Sequence, residues 1–249
     1  MSLNFIEDGD PIAYIIGGKR NGEILYLARD KQPEEGFNQI NIKSSYLYPI
    51  VNPNRREVYY VAGPSGSGKS TYVRKLAETY QQIFPDGNIY IFCRTNVEDD
   101  PAYRDLGAQQ VDISDLHVNP VDIEHDIEKG SFVIFDDTST INDKKIKESV
   151  IKLQIDIMEV GRKLGLYIAI TNHLVNPNER SLGRIIMNEM TSFTFFPRSG
   201  FYQASYCLKN YFGMRKKDID AIMLLPTRWV TLIKNYPMVL MYQHGAYQI

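Results

Sequence analysis

The chain has 249 residues, 43% of them hydrophobic and 23% charged, with a formal net charge of −2. That composition is ordinary for a folded globular protein, and the length gives room for one α/β domain with additions, or a domain and a half. The charge balance excludes a broad cationic footprint for nucleic acid, so any contact with a polyanion must be local. Cys93 and Cys207 both fall in stretches that read as strands and fit reduced core thiols, which excludes a disulfide scaffold. The four histidines (His117, His125, His173, His244) have no metal-ligand spacing. The first eight residues are too acidic, and their apolar run too short, for a signal peptide. No apolar run exceeds strand length, so the expectation is a soluble intracellular protein without a membrane span.

In chain order, residues 11–28 predict a β-hairpin, with Ala13 to Ile16 and Glu23 to Leu27 flanking Gly17 to Gly22 around an Asn21-Gly22 turn. Residues 30–54 are polar and contain proline, with a short strand expected over 46–51. The first 56 residues therefore read as an N-terminal extension, and residues 57–249 as the main domain.

Val58 to Ala62 is a short apolar run of the kind that forms a buried strand. Gly63, Pro64, Ser65, Gly66, Ser67, Gly68, Lys69, Ser70 and Thr71 follow, completing the pattern G-x-x-x-x-G-K-[ST]. Apolar residues then recur at helical spacing from Tyr72 to Phe84. Strand, glycine loop and helix in that order make a phosphate-binding loop. The glycines let backbone N–H groups converge on a polyphosphate, and the helix N-terminus adds partial positive charge. Lys69 is placed to reach the β- and γ-phosphates of ATP, and the Ser70 hydroxyl to ligate Mg²⁺.

Asn88 to Cys93 predicts a second buried strand, after a turn at Pro85 to Gly87. An acidic, looping stretch covers 94–108. Residues 111–113 read as a brief strand and 121–128 as a short helix. Phe132 to Phe135 then runs into Asp136 and Asp137, four apolar residues followed by two carboxylates, which is a Walker B pattern. Asp136 is placed to hold Mg²⁺ opposite Ser70, and Asp137 to act as general base on the attacking water. Glu is frequent at that second position in related hydrolases, and Asp is one methylene shorter. By itself an acidic pair would more often merely cap the loop after a strand.

A long helix is expected over 144–163, with Ile146, Val150, Leu153, Ile157 and Val160 forming one apolar stripe. Gly165 ends it, and Leu166 to Ile170 is a further buried strand leading into Thr171, Asn172 and His173. A helix over 181–190, strands over 191–196 and 203–208, and a helix over 216–225 follow. Residues 229–234 and 238–243 predict a closing strand pair around Asn235, Tyr236 and Pro237. Strands alternating with helices argue a mostly parallel sheet covered on both faces.

Glu159 to His173, read as helix end, Gly-Arg-x-x-Gly, apolar strand, Thr and amide, resembles the sensor region of FtsK/HerA-type translocases. The helix before it, from Asp143 to Arg162, is similar to that family's helix between Walker B and the sensor strand. The resemblance spans roughly residues 58–196. It departs at Asn172, where the family commonly has glutamine. It implies a RecA-like P-loop NTPase of the ASCE division, with the sensor strand between the phosphate-loop and Walker B strands and Asn172 beside the γ-phosphate. In size, and in lacking further appendages, the chain resembles the compact genome-packaging ATPases of double-stranded DNA viruses.

That resemblance implies an ATPase that pumps double-stranded DNA into a viral capsid. It implies a homo-oligomeric ring, contact with capsid proteins, and residence in host cytoplasm, viral factory or virion. An arginine reaching across the ring would complete each site. Arg180 and Arg184 are the candidates, with Arg162 and Arg228 as alternatives. For DNA, Lys144, Lys145 and Lys147 form one basic group and Arg215, Lys216 and Lys217 another; each is either a phosphate contact or an exposed helix end. Tyr202, Tyr206, Tyr211 and Trp229 read as core or subunit interface rather than a base-stacking platform. Two other functions fit the phosphate loop: a nucleotide or small-molecule kinase, and a scaffold in which ATP only fixes an assembly state.

Overall fold

The computed structural model describes residues 2–28, 37–173, 180–234 and 238–249, with Arg180 and Ser181 described in backbone only. The first strands are β1 (Ser2–Asn4), β2 (Asp10–Ile16), β3 (Ile24–Ala28), β4 (Gln39–Asn41) and β5 (Tyr46–Pro49). The expected hairpin is β2–β3. It sits inside a four-stranded antiparallel sheet of order β1-β3-β2-β5, so the extension is larger than a hairpin. β4 leaves that sheet and pairs with the last strand of the chain.

The main sheet collects β6 (Val58–Ala62), β7 (Ile89–Cys93), β8 (Gln109–Asp112), β9 (Phe132–Phe135), β10 (Tyr167–Asn172) and β11 (Ser192–Phe195). These pair in parallel in the order β11-β6-β10-β9-β7-β8. β12 (Val230–Ile233), β13 (Val239–Tyr242) and β14 (Gly245–Gln248) continue it as an antiparallel meander, closed by β4. The sensor strand β10 therefore lies between β6 and β9, as the resemblance implied. Residues 235–237, expected as the turn of the closing pair, lie outside the described residues; β14 was not expected.

The helices are α1 (Lys69–Ile83), α2 (Ile123–Asp126), α3 (Lys144–Val160), α4 (Arg180–Glu189), α5 (Phe201–Asn210) and α6 (Lys216–Met223). In α3, the Asp143 side chain caps the N-terminus by accepting from the Lys145 and Ile146 amides, and Val150, Leu153 and Ile157 are buried along one stripe. Each such buried aliphatic side chain contributes roughly 1.5–3 kcal/mol.

Strand residues alternate between two cores. Tyr60, Phe92, Phe135, Ile168 and Ile170 face a cluster shared with α3, α4, α5 and α6. Tyr59, Val61, Ile91, Ile134 and Ala169 face a cluster shared with α1 and the N-terminal sheet. The sheet is thus covered on both faces, by helices on one and by α1 with the extension on the other.

The strand expected over 203–208 is instead the centre of α5, and Cys207 is a helical residue, not a strand one. Ala204, Cys207 and Leu208 are buried together, which is the i, i+3, i+4 spacing of a helix face. Tyr202, Tyr206 and Tyr211, expected in the core or at a subunit interface, are exposed and so are not core. Trp229 is core, packed edge-on against Tyr72.

Candidate functional site

The parallel register brings the carboxyl ends of three strands level. Ala62 pairs with Asn172, and Ile170 with Phe135, so Asp136 emerges beside Thr171. In open parallel sheets this carboxyl edge is where ligands bind.

Residues 63–68 form the loop from β6 into α1, which begins at Lys69 rather than at Tyr72. Gly68 caps the helix at φ 107°, a left-handed conformation that side chains resist, and no side chain caps the N-terminus. The first amides of α1 are therefore open to an anion, with no acidic residue in the first turn. At Gly63 the need is space: a Cβ there would meet the Phe196 ring at 2.7 Å and Ser67 Oγ at 2.8 Å.

Lys69 lies across this loop with its side chain 5% exposed. Its Nζ is 3.5 Å from the Pro64 carbonyl and 3.5 Å from Asp137 Oδ1. Asp137 is a non-glycine residue at φ 47°. Such a backbone is costly unless its surroundings hold it, and here its amide donates to Thr171 Oγ1 at 2.9 Å. The Asp137 side chain, 40% exposed, stands between Lys69 and His173, whose Nε2 is 3.4 Å from Oδ2.

Asp136 differs from its neighbour in being buried. Its Oδ1 accepts from Tyr103 at 2.7 Å and from Thr171 Oγ1 at 2.9 Å. Burial pushes its pKa up, with the nearby Asp137 charge adding to the rise, while the two hydroxyls oppose it. Burial and Asp136 push the Tyr103 phenol's pKa up, while Ser70 lies close enough to its hydroxyl to lower it by a smaller amount. A hydroxyl and a carboxylate are the all-oxygen pair that suits Mg²⁺, which holds few protein ligands and takes the rest from phosphates and water. The residues present fit that ion.

Asn172 is buried, and its Nδ2 donates to the Tyr60 hydroxyl at 3.1 Å. That bond fixes the amide plane at the end of β10, one residue from His173. A cleft of about 360 Å³ opens on this side, lined by Gly63, Pro64, Ser65, His173, Gly200 and Tyr202. On the other side of the loop, a smaller cleft of about 80 Å³ is lined by Ser67, Gly68, Thr71, Trp229 and Arg228.

The four arginines fall in different places. Arg228 lies in that smaller cleft, beside its own phosphate loop. Arg162 follows α3, near Arg56 and the amino end of β10, away from the loop. Arg184 is exposed on α4, and the side chain of Arg180 lies outside the described residues. Lys144 and Lys145 are exposed at the start of α3, and Arg215, Lys216 and Lys217 are exposed around the start of α6.

Sequence reasoning missed Tyr103 and His173 as parts of this site. His173 carries a signal in hindsight, since it directly follows Asn172 at the carboxyl end of a central strand. Tyr103 carries none, because it reaches the site from an irregular segment.

The strand order and the glycine loop at the β6–α1 turn define an α/β fold built on a mostly parallel sheet with helices on both faces. Among solved structures, the DNA-packaging ATPase B204 from Sulfolobus turreted icosahedral virus is 13% identical, with TM-score 0.51, over 77% of this chain and 98% of that one. The cytoplasmic domain of the Thermomonospora curvata type VII secretion ATPase EccC is 12% identical, with TM-score 0.53, over 87% of this chain and 29% of that one. At these identities the likeness is one of fold. In sequence, the chain is 38% identical to "Uncharacterized protein V3" of Sputnik virophage over 244 residues, 98% of this chain and 97% of that protein. The chain belongs to the family of that virophage protein. No protein-family model matches it.

Proposed function

We propose that this protein is an ATP-hydrolysing motor that moves double-stranded DNA into a viral capsid, acting as a homo-oligomeric ring. The observation that carries the reading is the convergence of Lys69, Asp136, Asp137 and Asn172 on one sheet edge, around a helix N-terminus open to phosphate. A virophage relative across nearly the whole chain, and the fold of a DNA-packaging ATPase, agree with it. Residues 1–56 form the extension and 57–249 the motor domain.

In this reading residues 63–71 hold the triphosphate, with Lys69 on the β- and γ-phosphates. Ser70 and Asp136 hold Mg²⁺, which when bound neutralises phosphate charge. Asp137 takes a proton from the attacking water, held in place by Lys69 and His173. Asn172 orients that water from a position fixed by Tyr60. Arg180 or Arg184 of a neighbouring subunit stabilises charge on the transferring phosphoryl group. Lys144, Lys145 and Lys147, on the helix that follows the Asp136–Asp137 pair, track the DNA backbone.

The test is ATP turnover with and without long duplex DNA at low salt, together with a triplex-displacement or roadblock assay. Stimulation should be independent of DNA sequence and fall steeply with salt, because the contacts are to phosphates. Replacing Lys144, Lys145 and Lys147 by Gln should lower stimulation and leave basal turnover nearly unchanged. Phosphoryl transfer to a small acceptor, without stimulation or movement, would reassign the protein to the kinases.

A further inference from the structure

The segment between β7 and β8 delivers one side chain to the phosphate edge, Tyr103, and builds a rigid frame to do so. Asp100 starts a tight turn: its carboxylate accepts from the Ala102 amide at 2.8 Å, and its carbonyl from Tyr103 and Arg104. Arg74, on the second turn of α1, donates to the carbonyls of Pro101, Ala102 and Arg104 at 3.1–3.3 Å. Gln81, two turns further on, donates to the Leu106 carbonyl at 2.6 Å. The backbone on both sides of Tyr103 is therefore tied to the helix that begins at the phosphate loop. The Tyr103 ring itself is buried, and its hydroxyl donates to Asp136 Oδ1 at 2.7 Å.

From this we infer that Tyr103 is a positioning residue for the Mg²⁺ site, on the assignment of Ser70 and Asp136 made above. Tyr103 and Thr171 both donate to Oδ1 of Asp136, which fixes the plane of the carboxylate and leaves Oδ2 for the metal's water shell. Ser70 lies beside the same hydroxyl, so one phenol sits next to both proposed ligands. Two carbonyl anchors beside Tyr103 come from Arg74, so the spacing of Ser70 and Asp136 is set jointly by α1 and this segment. The role is one of aim: Tyr103 acts through Asp136 and Ser70 and does not itself touch the nucleotide.

The measurement is a Mg²⁺ titration of binding of a fluorescent, non-hydrolysable ATP analogue, for the parent and Tyr103→Phe, which removes the hydroxyl and keeps the buried ring. The variant should need about 10–100-fold more Mg²⁺ for half-saturation, the usual cost of losing an outer-shell partner. Binding in excess Mg²⁺, binding in EDTA and the melting temperature without Mg²⁺ should match the parent. Arg74→Gln, which loosens the turn without altering the ring, should shift the midpoint the same way by less, and serves if Tyr103→Phe fails to fold. An unchanged midpoint overturns the assignment, and so does a lowered one, which would make the hydroxyl a competitor of the ion. If the parent binds the analogue equally with and without Mg²⁺, the metal assignment falls and Tyr103 with it. If the parent does not bind the analogue at all, the nucleotide site itself is wrong.

Discussion

The two ends of the parallel sheet each hold a buried carboxylate whose pKa burial raises, and each carboxylate accepts a hydrogen bond from a tyrosine hydroxyl. At the amino end this is Glu57, which accepts from Tyr59 and from the Asn52 amide, with Arg55 at 3.7 Å. Asn52 in turn donates to Asp10 on β2, and its carbonyl accepts from Tyr167. The cluster ties the N-terminal sheet to the main sheet. At the carboxyl end Asp136 has a similar hydroxyl environment, but its surroundings are a bare helix N-terminus, a lysine, a second carboxylate and an open cleft.

The lesson is that burial and hydrogen bonding alone do not make a site. Glu57 is enclosed by partners that belong to the fold, so its perturbation marks a joint. Asp136 shares its edge with the Lys69–Asp137 ion pair and an uncapped helix N-terminus, and Asp137 is partly exposed, so on the proposed function its perturbation belongs to a site for a charged ligand.

The sharpest way to break this contrast is at Lys69. Lys69→Ala should lower ATP turnover by at least ~10²-fold, the scale for losing one preorganised charge-stabilising group, with nucleotide binding followed by fluorescence or calorimetry. Parent-level binding and turnover would remove the carboxyl end from consideration. Asp137→Asn should separate binding from chemistry. Analogue affinity should stay within a few-fold of the parent, while hydrolysis falls about 10²–10⁴-fold if Asp137 is the general base. Turnover at the parent rate in that variant would shift the role to Asp136.

At the amino end the effects should be on stability alone. Tyr59→Phe removes one donor from buried Glu57 and should cost about 1–3 kcal/mol in urea unfolding, leaving the nucleotide affinity unchanged. A change in affinity with unchanged stability would contradict the division between joint and site.

The smallest effect expected is a pH dependence. Because folding raises the Glu57 pKa, the folded state holds its proton more tightly than the unfolded chain. The protonated group's contribution is fully present below the ordinary glutamate value and is lost as pH rises through the folded pKa. Glu57→Gln should therefore lower stability more at pH 4 than at pH 7 relative to the parent, as read from unfolding midpoints at each pH. A penalty that grows toward neutral pH would mean that ionised Glu57 is favoured by Arg55.

How much was legible from sequence differs between these ends. Residues 63–71 and the Asp136–Asp137 pair are contiguous, and each motif needs its residue types at fixed spacing, so both could be read directly. The order β6-β10-β9 was implied by resemblance, and the long α3 by its apolar stripe. The stretch 203–208 was misread because six residues with one tyrosine and several small groups fit either period. The helix was decided by Ala204, Cys207 and Leu208 packing together against the core.

By itself, then, the sequence determined the local chemistry: a loop shaped for phosphate, two carboxylates after a strand, and an amide after another. Those follow from neighbours in the chain, where glycine freedom, strand length and helix capping act over a few residues. Only the tertiary structure decided that Tyr103 meets Asp136, 33 residues away, and that Asn172 meets Tyr60, 112 residues away. It likewise decided that Glu57 bonds to Asn52 and Tyr59, between the two sheets, while Asp136 lies at the carboxyl edge beside Thr171. Such pairings depend on strand order and on how each side chain packs across the sheet, and no local pattern carries that information.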